Sequence, residues 1–134
     1  MSQENIEVVR KGYEAFARRD IETVLAGLDP AIEVRTGAGA EVMGEELYHG
    51  HAGFLKYAQA WLEAWDEYQL IPEEFADIGD YVVTVYRAVA RGKGSGITVE
   101  DRFAHLWTIR DSKAVRLEVF AEPDQALEAA GLSE

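Results

Sequence analysis

"TVEDRFAHLWTIRDSKAVRLEVFAE" (98–122) decides how the rest of the chain is read. Apolar residues alternate with polar ones on both sides of "DSK", the pattern of two strands joined by a tight turn. In the first strand Asp101, Phe103, His105, Trp107 and Ile109 share one face, and Glu100, Arg102, Ala104, Leu106 and Thr108 share the other. Three large apolar side chains mark the first set as the inner one, and His105 goes inward with them. "IRDSK" fits a type I turn with Ser112 in a left-handed bulge position. That register opposes Ile109 to Lys113, Trp107 to Val115, His105 to Leu117 and Phe103 to Val119. Opposed residues share a face, so Leu117 and Val119 join the interior. A two-residue loop would instead set His105 against Glu118.

Working upstream, "YQLIPEEFADI" (68–78) and "YVVTVYRAVAR" (81–91) keep the period of two and are followed by "GD" and "GKGSG" as turn signals. Four strands in succession make an antiparallel meander. Before them the spacing is helical: Ile6, Val9, Tyr13 and Phe16 lie on one face. Asp20 caps a short second helix carrying Ile21, Val24, Leu25 and Leu28 inward, and "DP" (29–30) ends it. "AIEVR" (31–35) alternates like a strand and "TGAGAEVMGEE" (36–46) reads as loop. A third helix after Gly50 and His51 presents Phe54, Tyr57, Ala58, Trp61, Leu62 and Trp65. Pro123 opens a last helix, "DQALEAAGL". Helices first and strands later predict one α+β domain over residues 1–134, with three N-terminal helices packed on a curved sheet.

The 134 residues contain no cysteine and carry a formal charge of −12, with 25 acidic against 13 basic side chains. Such a surface repels phosphate backbones, so nucleic acid is not an expected partner. The N-terminal segment shows no basic-then-apolar leader, and no run approaches about 18 apolar residues, so neither export nor a membrane is expected. A cytoplasmic location fits these features.

Two short motifs are set aside. "HGH" (49–51) has no carboxylate at ligand spacing, so no metal is expected there. "RGKGSG" (91–96) lies between strands and lacks the ending of a phosphate cradle, and reads as a hairpin loop. No cofactor is expected.

The segments "VVRKGYEAFARRDIETVLAGLDPAIEV" (8–34), "YHGHAGFLKYAQAWLEAW" (48–65) and "FAHLWTIRDSKAVRLEVFAE" (103–122) resemble the SnoaL-like branch of the nuclear-transport-factor-2-like superfamily. The resemblance implies a cone-like sheet, mixed or antiparallel, wrapped around the helices in a cystatin-like α+β barrel, as in ketosteroid isomerases and polyketide cyclases. It also implies an apolar pocket at the open end and a homodimer formed through outer sheet faces. Arg102, Ala104, Leu106, Arg116, Glu118 and Phe120 would supply that outer face.

Aligned on the hairpin, His105 falls where the isomerase-like relatives place a protonated aspartate that donates to an oxyanion. Their basic aspartate corresponds to Arg35 and their tyrosine falls near Gly12, one residue from Tyr13. Steroid isomerisation by that route is therefore not expected. His105, Arg35 and Tyr13 are the candidate catalytic residues. The candidate ligand contacts are Phe16, Phe54, Tyr57, Trp61, Asp101, Phe103, Trp107, Leu117 and Val119. Asp101 lies about 13 Å along an extended strand from His105, too far for a dyad, and is assigned to the rim.

Three readings follow. One is general acid/base isomerisation, cyclisation or dehydration of a small, largely apolar molecule bearing a carbonyl or a negative charge. The second is binding of such a molecule without turnover, and the third an interaction module using only the outer sheet. His105 itself suits either a ligand contact or a hydrogen-bonded core position.

Overall fold

The computed structural model describes residues 2–36 and 47–131. In chain order the elements are α1 (Ser2–Ala17), α2 (Ile21–Ala26), β1 (Leu28–Thr36), β2 (Leu47–His49), α3 (Gly50–Ala64), β3 (Trp65–Ile78), β4 (Tyr81–Gly92), β5 (Thr98–Arg110), β6 (Lys113–Phe120) and α4 (Pro123–Ala129). The six strands form one curved open sheet in the order β2-β1-β6-β5-β4-β3. Strands β3 to β6 make the expected antiparallel meander, and β1 runs parallel to β6. The glycine-rich stretch read as loop lies, apart from Thr36, outside the described residues.

Local chemistry explains the boundaries. Asp20 caps α2: one carboxylate oxygen accepts the Thr23 backbone N–H at 3.3 Å and the other the Thr23 hydroxyl at 2.7 Å. These bonds hold the Asp20 carboxyl below its usual pKa. The helix then stops earlier than expected. Gly27 forms its C-cap, and Leu28, read as the last inward helical residue, opens β1 instead. Gly50 turns from β2 into α3 with φ +71°, and a Cβ there would lie 3.1 Å from the Pro30 carbonyl oxygen. Pro72 sits on β3, an edge strand, beside a break in register, where its missing N–H is tolerated.

The final hairpin corrects the expected register. Asp111 and Ser112 both take positive φ, 55° and 64°, and form a two-residue loop in which Arg110 opposes Lys113. The pairing then slips by one between Ile109–Ala114 and Thr108–Arg116, leaving Val115 as an extra residue. Trp107 therefore opposes Leu117, and His105 opposes Val119 rather than Leu117. The bulge restores the parity that the short loop would have inverted, so His105 remains inward and is 4% exposed.

Helices α1 and α3 cross the concave face and pack Val9, Tyr13, Phe54 and Ala58 against Val34, Val82, Ile109 and Leu117. The convex face is not left open at its centre. Ala126 and Ala130, with Leu127 beside them, pack on Val83, Ala104 and Leu106. Leu106 is 2% and Ala104 0% exposed, so these two residues of the expected dimer face are covered from within the chain. Beside them on that face runs a charged band on β1 and β6, exposed Arg35 with half-buried Glu33, Arg116 and Glu118.

Candidate functional site

Between α1, α2, α3 and the concave sheet lies a cavity of about 650 Å³, room for a drug-sized molecule. Its walls follow from the helical periods. The stripe Val8, Gly12 and Phe16 of α1 faces Phe54, Tyr57 and Trp61 of α3, and the sheet contributes Leu70, His105, Trp107 and Leu117. Exposed Glu4, Glu7 and Lys11 on α1 form part of the rim. Aromatic rings stack along one side: Trp61 lies 6.0 Å from Tyr68 and 6.5 Å from Trp65, centroid to centroid.

A buried polar cluster interrupts this mostly apolar lining. Tyr13 reaches from α1 to place its hydroxyl 2.6 Å from His105 Nδ1, and the Trp107 indole donates to the same oxygen at 2.9 Å. The rings are fixed as well: Tyr13 lies parallel to the imidazole at 5.8 Å, and Tyr86 approaches it from β4 at 4.2 Å. Because an indole N–H can only donate, the phenol oxygen accepts from Trp107, and its single proton is free for His105 Nδ1. This leaves the imidazole proton on Nε2. The reverse tautomer would turn the phenol proton towards the neighbouring Thr84 hydroxyl, which makes no well-aligned hydrogen bond, so the Nε2–H form is the one assigned.

Burial keeps the cluster uncharged. Desolvation pushes the His105 imidazole down to about 3, so it is neutral at physiological pH. Burial raises the Tyr13 phenol, against the opposing pull of Thr84 and Trp107. The hydroxyls of Tyr57 and Tyr86 are raised by the same desolvation, and that of Tyr68 is pushed up to about 12. The inner end of the cavity thus offers neutral hydrogen-bonding groups in a low-dielectric setting, suited to holding a carbonyl or enolic oxygen.

Among the expected contacts, Tyr13, Phe16, Phe54, Tyr57, Trp61, His105, Trp107 and Leu117 come together around this cavity. Four others do not. Arg35 is exposed on the convex side, because β1 buries Ile32, Val34 and Thr36 and so turns Arg35 outward. Asp101 is exposed beyond the cavity, opposite Ala88, and accepts the Arg102 backbone N–H at 2.8 Å. Phe103 packs on Tyr86 at 5.9 Å, and Val119 is buried in the core behind the cluster. His51, from the "HGH" motif, shares a hydrogen bond with the Leu28 carbonyl at 2.9 Å.

Residues missed from the sequence complete the site. Tyr68 and Leu70 line it from β3, and the fully buried Thr84 stands opposite His105 on β4. The Thr84 hydroxyl makes no well-aligned hydrogen bond among the described residues. Pairing "YVVTVYRAVAR" with "TVEDRFAHLWTIR" across the "GKGSG" loop is the signal that could have found Thr84.

Comparison with known proteins agrees with this architecture. No curated protein matches the chain. Among solved structures, TerC co-crystallised with polyporic acid is 31% identical with a TM-score of 0.80, covering 95% of this chain and 98% of its own. An NTF2-like protein of unknown function from Burkholderia pseudomallei is 26% identical at a TM-score of 0.79, covering 96% and 98%. A Jannaschia protein named for the SnoaL-like polyketide cyclases is 16% identical at a TM-score of 0.78, covering 99% and 94%, a likeness of fold alone. The model of the SnoaL-like domain matches residues 9–117, from Val9 midway along the cavity-lining helix α1 through Leu117 on the sheet wall, and the chain belongs to that family.

Proposed function

We propose that this SnoaL-like domain binds a small, largely apolar, ring-bearing molecule and holds its carbonyl or enolic oxygen against the Tyr13–His105 pair. The observation that carries this reading is the neutral Tyr13–His105–Trp107 cluster set into a mostly apolar cavity. His105 Nε2–H is the donor offered to the ligand, and Tyr13 holds the ring in that tautomer. The aromatic walls supply the affinity by burying ring surface. The likeness to TerC, co-crystallised with polyporic acid, supports an aryl-substituted hydroxyquinone as the first ligand to try.

Donation to a carbonyl oxygen stabilises an enolate, the species shared by isomerisation, cyclisation and dehydration of carbonyl compounds. His105 acts in this scheme as a neutral electrophile, because an imidazolium with a pKa of about 3 is absent near neutrality. Binding without turnover is the second reading. It is favoured by the position of the lining carboxylates: Glu4 and Glu7 are exposed at the rim, and Glu7 is engaged by Arg10 at 2.7 Å.

Titration of the protein with polyporic acid, followed by tryptophan fluorescence, tests both. Saturable binding that weakens at least tenfold in His105→Ala supports the site. Chemical change of the ligand, lost in the same variant, separates enzyme from binder, and absence of any binding refutes this ligand class.

A further inference from the structure

Glycine at position 12 lacks a structural explanation within the helix. It lies inside α1, five residues before the helix ends, where glycine is the poorest helix former apart from proline. Its φ is not among the positive values that would demand glycine. A Cβ built on it meets no heavy atom within 4 Å, so no neighbouring element needs the close approach. What Gly12 does border is the cavity, one helical turn from Val8 and from Phe16 and adjacent in sequence to Tyr13.

We propose that Gly12 is a specificity-determining position: the missing side chain is the space in which a ring of the ligand lies against the α1 backbone. This rests on the ligand-binding reading above and adds to it a limit on ligand width. A molecule whose oxygen meets Tyr13 and His105 passes Gly12 on the cavity side of α1, and any side chain there narrows the passage. The chemistry favoured is a ring carrying a bulky aryl substituent over an unsubstituted ring of the same polarity.

The test compares wild type, Gly12→Ala and Gly12→Leu by thermal unfolding and by binding of two probes, polyporic acid and the smaller 2,5-dihydroxy-1,4-benzoquinone. Gly12→Ala is expected to raise the unfolding midpoint by about 2–6 °C, because it improves helix propensity in open space. Gly12→Leu is expected to weaken polyporic acid at least tenfold while changing the smaller probe less than threefold. A lowered midpoint for Gly12→Ala makes the glycine structurally required and overturns the inference. Wild-type binding that both variants retain unchanged also overturns it, while leaving the ligand reading intact. Failure of wild type to bind either probe overturns the ligand reading and this one with it.

Discussion

The Tyr13 hydroxyl and His105 Nδ1 stand 2.6 Å apart, joining α1 to β5 across 92 residues of sequence. The bond ties a helix to the sheet inside the cavity, and the same oxygen accepts from Trp107 at 2.9 Å. Tyr13→Phe removes one hydroxyl and strands two groups, the buried His105 Nδ1 and the half-buried Trp107 indole. The expected cost is about 2–4 kcal/mol, measured as a lower urea midpoint. The imidazole should also lose its fixed tautomer. Nitrogen NMR of His105 reports this directly: a single Nε2–H form in wild type, a mixture in the variant. An unchanged tautomer would remove Tyr13 from the positioning role.

Stability should fall with acid through His105. The folded-state value of about 3 lies below the ordinary 6.5, so above 6.5 neither state holds the proton and the contribution is complete. As pH drops from 6.5 towards 3, the unfolded chain takes up a proton that the folded chain excludes, and stability declines by at most roughly 1.4 kcal/mol per pH unit. Comparing urea unfolding at pH 7 and pH 4.5, His105→Gln should lose about 2–3 kcal/mol less than wild type. Equal losses would mean that the imidazole is accessible to protons in the folded state.

How far the site was legible in the sequence depends on which pattern carried each residue. Alternation placed His105 and Trp107 inward, and helical spacing placed Tyr13, Phe16, Phe54, Tyr57 and Trp61 on cavity-facing surfaces. The hairpin register was not legible, because "DSK" accommodates either loop and only tertiary packing selects the short loop with a bulge at Val115. His105 kept its side only because that bulge offsets the shorter loop. Arg35 was assigned by resemblance against the parity of its own strand, where Ile32, Val34 and Thr36 alternate inward, and the parity prevailed. The covering of Leu106 was hidden for a different reason: α4 spans Pro123–Ala129 and docks through alanines, whose weak hydrophobic pattern points to no partner.

Arg35→Ala is therefore expected to leave ligand affinity within twofold of wild type, since the guanidinium lies on the other side of the sheet from the cavity. The titration used for His105→Ala measures it. A loss of tenfold or more would mean that Arg35 reaches the ligand by a route the strand geometry does not provide.

Leu106 carries the opposite expectation. At 2% exposure beneath α4, Leu106→Ala should cost about 2–5 kcal/mol, because the alanine-rich helix cannot collapse fully into the space left behind. Denaturant unfolding gives the value, and sedimentation of the same variant should show unchanged mass. A change in mass with little loss of stability would restore Leu106 to an interface between copies.

Gly50→Ala tests the turn that aims α3 at the cavity. With φ at +71° and the Pro30 carbonyl oxygen 3.1 Å from the added carbon, alanine meets both a disfavoured backbone region and a tight contact with β1. The expected cost is about 1–3 kcal/mol. Because α3 carries Phe54, Tyr57 and Trp61, a shift of its first turn should also reach the cavity wall. The variant should lower the urea midpoint and weaken binding of the aromatic probe together. A stability loss with affinity unchanged would show that α3 is held by its packing on β1 and β3 and not by the turn that precedes it.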